Sequence, residues 1–295
     1  MHSENLRRGA AFMISSGLLF AAMGAMIKYI AAHLPNEMVV FFRSAMGLVA
    51  LLPWIWRRGF GQLRTKRLHG HLTRGLAGLA AMYCYFYAIA HMPLAEATLL
   101  NYSTPLFVPF IAWLALKEKI SHRLWAAIGL GFLGILLILK PGLSLFTPVS
   151  LIGVSAGVFA ALAMTSIREL TRSEPTLRIV FYFSAVGTVV SAMPLAWSWQ
   201  APEPGLWMLL VGMGIVGSLG QLLLTRAYSY APAAHVGPFS YSTVVFAAGV
   251  GWLFWGEVPD ALSFVGAVLV CLAGILTIRI AGKRAIPLAE ISNRR

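Results

Sequence analysis

Charges inside long apolar runs come first, because a charge in hydrocarbon is costly and usually functional. Lys28, Arg43 and Arg226 are such residues. Lys28 and Arg43 fall toward the outer side of neighbouring runs. Each could meet an anionic group on a ligand, or could lay its stem along apolar surface and lift its charge to the headgroups. Arg226 stands near the end of its run, where a topology anchor is the simpler role. A second set carries rings and hydroxyls. Tyr83 and Tyr87 are four apart and His91 follows one turn on, so the three share a helix face. Asn101, Tyr102, Ser103 and Thr104 form one polar run, and Ser240, Tyr241, Ser242 and Thr243 form another, with Gln221 isolated between. Such groups can wall an aromatic pocket with hydroxyls for a carboxylate or amine. They can equally bond helix to helix. Gly153-Val154-Ser155-Ala156-Gly157 has the spacing of a hydrolase nucleophile turn. That turn joins a strand to a helix, and here it opens an apolar run. No catalytic residue is expected, and no enzyme. The two cysteines, Cys84 and Cys271, lie in apolar runs with no metal spacing, so neither a metal nor a cofactor is expected.

The elements that hold these residues follow from composition. Of 295 residues, 59% are hydrophobic and 11% charged. A soluble chain carries about 25% charged residues, so part of the surface must face lipid. On a soluble chain a net charge of +13 would point to nucleic acid. The basic residues lie between apolar runs, however, where they set topology and meet anionic lipid. Ten runs reach the roughly 20 residues that a bilayer requires: 8–33, 36–56, 72–92, 94–116, 122–140, 147–168, 176–198, 204–227, 232–255 and 260–281. The first reads as a retained helix rather than a signal peptide, since many like it follow. The loops after spans 2, 4 and 6 are rich in Lys and Arg, with Arg74 counted in the first of them. The loops after odd-numbered spans hold only Lys140. Both termini are therefore expected in the cytoplasm.

The chain repeats itself. Residues 93–118 and 232–257 align without a gap, and nine of 26 positions agree, including Pro93/Pro232, Tyr102-Ser103-Thr104/Tyr241-Ser242-Thr243 and Glu118/Glu257. Five spans per half is odd, so the second half is upside down. The expected fold is all-α and integral to the membrane, ten transmembrane helices as two inverted five-helix repeats over 1–145 and 146–295. Inverted repeats place a substrate near the midplane between the halves. A channel would need a ring of charges or carbonyls, and no such filter is present.

These residues resemble a known family. Tyr87-Ala88-Ile89, Pro93 to Ala97, Asn101-Tyr102, Pro105-Leu106 and the closing Glu118, with Gly129 and Gly134, are similar to the EamA branch of the drug/metabolite transporter superfamily. Gly256-Glu257, Gly266 and Gly274 repeat the ending, and Phe41-Phe42-Arg43 opens span 2 in the same style. The family's second Pro is replaced by Val244. The resemblance implies export of small metabolites across the inner membrane. Members of the YddG type carry amino acids, including aromatic ones; others carry S-adenosylmethionine, nucleotide-like or carboxylate metabolites. It also implies a cavity lined by spans 1, 3, 4, 6, 8 and 9. That makes Tyr83, Tyr87, His91, Asn101, Tyr102, Gln221, Tyr241 and Ser242 candidates for substrate, with Lys28 and Arg43 as charged candidates. Small multidrug antiporters of the superfamily use a buried Glu in span 1. Here that span has Lys28, and all ten acids fall at span ends or in loops, so a zwitterion or anion is the expected cargo. The expected partners are a small-molecule substrate and the bilayer, the chain acting as a monomer or homodimer. Pro93, Pro105, Pro232 and the glycines Gly212, Gly214, Gly217 and Gly220 are expected hinges.

Overall fold

The computed structural model describes residues 6–116, 122–139, 148–171, 173–230 and 236–285. Within them the secondary structure is helical. The helices are α1 Leu6–Ala31, α2 Asn36–Arg58, α3 Leu68–His91, α4 Leu94–Asn101, α5 Thr104–Leu116 and α6 His122–Leu139 in the first half. The second half has α7 Pro148–Leu170, α8 Thr176–Ala192, α9 Leu195–Ser198, α10 Pro204–Tyr230, α11 Ser242–Trp255 and α12 Ala261–Ala285. Short 3-10 turns occupy Phe60–Leu63 and Gly237–Tyr241. Glu118, Lys140, Pro232 and His235 lie outside the described residues.

Proline and glycine do the punctuation. Pro35, Pro93 and Pro175 precede α2, α4 and α8 with extended backbone, as a residue without an N–H and with a fixed φ does well at a helix start. Gly256 ends α11 in the left-handed region at φ 65°, which only a residue lacking Cβ adopts cheaply.

Helices α1, α2, α7, α10 and α12 are each long and apolar enough to cross a bilayer, and α6 and α8 are shorter apolar helices. Span 4 departs from the sequence reading. It is broken by a turn at Tyr102 and Ser103 into α4 and α5. The described part of span 9 breaks at the matching place, where the 3-10 turn ends at Tyr241 and α11 starts at Ser242.

The packing has the symmetry of two exchanged halves. α1 packs on α10 as α3 packs on α7, and α2 packs along α8. α1 meets α11 as α7 meets α4 and α5, and α6 crosses α12. Glycines form the tight crossings. A Cβ on Gly134 would stand 2.7 Å from the Gly266 carbonyl, and one on Gly266 2.6 Å from the Gly134 carbonyl. Gly214 meets Met46 and Gly47 backbone, Gly217 meets Met23, and Gly220 meets the Phe20 ring. These glycines are a packing seam within the unbroken α10, not the hinges expected of them.

The outward face carries leucine and valine, and exposed tryptophans, among them Trp56, Trp197 and Trp252. On a soluble protein such a surface would aggregate. Here it is the face offered to lipid, with indoles near helix ends at the headgroup level.

Candidate functional site

One end of the bundle holds the basic loops. There the segment after α2 is strapped to the second half. Thr65 Oγ1 donates to Glu174 Oε1 at 2.7 Å, Arg178 Nη1 pairs with Glu174, Arg178 Nε donates to the Gln62 carbonyl at 2.6 Å, and Tyr182 Oη donates to the Leu63 carbonyl at 3.0 Å. His71 is fully buried, stacked on Tyr182 at 4.5 Å, with Nε2 3.8 Å from Glu174. Burial and the nearby Arg178 push its pKa down from 6.5 despite Glu174. Burial pushes the Glu174 pKa up, but hydrogen bonds from Thr65 and Arg178 outweigh it, so the net shift is downward from 4.5.

The opposite end is closed by an ion pair. Lys28 on α1 meets Glu257, which follows α11, and donates to the Met92 carbonyl at 2.9 Å. The other carboxylate oxygen of Glu257 accepts from the Leu94 N–H at 2.8 Å, one of the orphan donors of the α4 start. The Lys28 ammonium stands 5.7 Å from the centre of the Trp255 ring. The left-handed Gly256 turns the chain so that the Glu257 carboxylate folds back over α1 and α4. Lys28 therefore neither stands free for substrate nor reaches for headgroups. Glu257 is correspondingly not a solvated loop acid: its side chain is 17% exposed. Such a pair, nearly out of water, leaves an uncompensated charge when one member is removed.

Between the two ends is a cluster of positive charge. Arg43 lies seven residues into α2, about 10 Å from the Lys28 end at 1.5 Å per residue. Arg74 lies six residues into α3, about 9 Å from the basic end. They meet at Phe183 of α8, with guanidinium carbons 5.3 and 4.1 Å from its ring centre. Arg43 is 2% exposed and Arg74 5%. Neither pairs with a carboxylate among the described residues. Arg74 Nη2 reaches Gln221 Oε1 at 3.4 Å. Arg43 Nη1, Arg74 Nε, Ser184 Oγ and Ser218 Oγ have no hydrogen-bond partner there. Glycine makes the room. A Cβ on Gly217 would lie 3.2 Å from Arg43 Nε, one on Gly47 2.5 Å from Ser218 Oγ and 3.5 Å from Arg43 Nη1, and one on Gly78 would strike Arg74.

Two expectations change here. Arg43 does not snorkel. Arg74, read as a loop charge, is inside a helix that begins at Leu68. Its signal in the sequence was Gly78 four residues on, which clears one helical turn for a long side chain.

The remaining candidates scatter. His91 is exposed, its ring stacked on Tyr87 and its Nδ1 2.8 Å from the Tyr87 carbonyl. Tyr83 is half-buried, and its hydroxyl has no partner among the described residues. Asn101 and Tyr102 are half-buried at the α4–α5 break, where Thr104 Oγ1 donates to the Asn101 carbonyl at 2.7 Å and Tyr102 lies near Thr243, Tyr85 and Tyr228. Tyr241 departs from a pocket role. Its side chain packs on Gly274 of α12, in the cluster that holds Leu99, Leu100 and Val270. Ser242 and Thr243 instead face Gly17 of α1. Gln221 alone joins the arginine cluster. Ser155 Oγ donates to the Leu151 carbonyl of its own helix at 2.9 Å, as a helical serine does.

Two inverted halves with matched helix breaks and charge at their interface are the architecture of a membrane transporter. The EamA-like transporter family model matches residues 7–140 and again 147–279. The chain belongs to this family, and hence to transporters rather than enzymes. Among its relatives, a Pseudopaline exporter CntI of Pseudomonas aeruginosa is 41% identical over 92% of this chain and 95% of its own. A riboflavin transporter of Vibrio cholerae is 29% identical over 90% of this chain and 91% of its own. An S-adenosylmethionine uptake transporter of Rickettsia felis is 30% identical over 92% of each chain. A solved crystal structure aligns over 94% of this chain and 98% of its own with a TM-score of 0.64 at 18% identity, a likeness of fold.

Proposed function

We propose that this chain is an alternating-access carrier that exports a small metabolite across the inner membrane. Its termini and basic loops lie in the cytoplasm, as the Lys and Arg bias requires. The observation that carries the reading is the Lys28–Glu257 pair. It ties α1 and the α3–α4 junction of one half to the end of α11 in the other, at the end away from the basic loops. Only a contact between halves can open and close one side as the halves rock. At the end of the basic loops a shallow recess of about 300 Å³ lies beside Arg8, Phe12, Ser15 and Tyr230.

Pseudopaline, the named cargo of the 41% identical relative, is the first cargo to assay. The amino acids implied by aromatic walls follow, then S-adenosylmethionine and other carboxylates.

The latch is tested by labelling. A cysteine at Met92, in a chain with Cys84 and Cys271 replaced by Ala, is probed from outside with a membrane-impermeant maleimide. Glu257→Gln is expected to speed labelling several-fold by opening the outer end. Equal rates with and without Glu257 would sink this assignment.

A further inference from the structure

Two guanidinium groups buried at mid-depth, with no carboxylate partner among the described residues, call for a counter-ion. Arg stays charged in proteins, and a buried charge persists only where something compensates it. Phe183 supplies a ring face, and Gln221 one long hydrogen bond. Among the described residues, donors on Arg43, Arg74 and Ser218 remain unused. The position matters as much as the charge. α2 and α8 are exchange partners under the pseudo-two-fold relation, as are α3 and α10. The four helices that bear Arg43, Phe183, Arg74 and Gln221 thus flank the axis; α3 and α10 are among the spans that the resemblance places at the cavity, and α2 and α8 stand beside them. That is where a carrier holds its cargo.

We propose that Arg43 and Arg74 form the anion subsite of the transport pathway and take a carboxylate of the organic substrate. Ser218, which meets Arg43 at Gly47, is the neutral donor beside it. This rests on the carrier reading above. Guanidinium forks match carboxylates two bonds at a time. Gly47, Gly78 and Gly217 supply the room in which both forks sit against the neighbouring helices. With no substrate bound, the cluster is electrostatically strained, so removing a charge should not harm the fold.

The test uses the purified full chain in detergent. Thermal unfolding is followed with succinate, L-phenylalanine and S-adenosylmethionine, each beside the form in which its carboxylate is an amide. At least one acid is expected to raise the melting temperature while its amide does not. Arg43→Gln should keep or raise the ligand-free melting temperature and lose the acid-dependent shift; a purely structural arginine would lower it. Gln221→Glu retains both arginines and puts a carboxylate beside Arg74. It should raise the ligand-free melting temperature and weaken acid binding at least tenfold. The subsite is overturned if no acid shifts the wild type, if amides act equally, or if both variants keep the shift. Vesicle transport separates the two readings. Acid binding with no counterflow of any cargo would defeat the carrier and leave the subsite. An acid cargo moving equally well through wild type and Gln221→Glu would defeat the subsite and leave the carrier.

Discussion

At the residue scale, the informative side chains are charges that cannot reach water. Lys28 and Arg43 were readable because each interrupts an apolar run. Arg74 was hidden among loop cations, and the helix start at Leu68 places it inside a helix. Glu257 was flagged by the repeat, but Gly256 beside it and Asp260 nearby made it look solvated. What the sequence could not supply is the left-handed turn that folds it over Lys28. His71 gives a prediction about stability. Its depressed pKa means that the folded state resists the proton that the unfolded state takes up near pH 6.5. Stability is therefore full above about pH 6.5 and falls as the pH drops through that value. Glu174 acts in the same direction at lower pH, because its depressed pKa gives stability that is lost once it protonates. Melting in detergent between pH 8 and 5 should show a clear fall for wild type and a flatter profile for His71→Gln. A profile unchanged by the substitution would contradict the burial account of His71.

At the element scale, spans 4 and 9 show where a hydropathy reading stops. Both were long enough to pass for continuous helices, yet each breaks at its Tyr-Ser-Thr. The motif is polar enough to satisfy a broken backbone in place. Ser103 Oγ donates to the Leu100 carbonyl at 2.5 Å and Ser242 Oγ to the Phe239 carbonyl at 2.7 Å. Repetition of the motif was visible, and its meaning as a helix break was not, because no local signal distinguishes a break from interhelical bonding. Glycine had the opposite fate. Gly214, Gly217 and Gly220 were read as flexible and are close-packed. Gly134→Leu should force α6 off α12 and cost about 1–3 kcal/mol, as overpacking does, seen as a lower melting temperature. Gly129→Ala, which meets open space, should be neutral or gain up to about 1 kcal/mol from helix propensity. Equal effects at the two glycines would mean that the α6–α12 crossing is not the tight one.

At the scale of the whole molecule, the architecture was the most legible part. Nine matched positions and an odd number of spans fixed an inverted pair, and the helix packing obeys that exchange across the described residues. The candidate site was legible only in fragments. Of the aromatic and hydroxyl candidates, Gln221 reaches the arginine cluster, while His91 is exposed and Tyr241 packs toward α12. Spacing along one helix says which residues share a face. It does not say which face looks at the axis, since that depends on how ten helices close around it. The central claim is that the halves alternate around one bound cargo. The direct measurement is counterflow: vesicles loaded with unlabelled pseudopaline and diluted into a trace of labelled pseudopaline. The account predicts a transient accumulation of label above its equilibrium level, saturable in the cargo. Flux that rises linearly with concentration and never overshoots would contradict it, because that is the behaviour of an open pore.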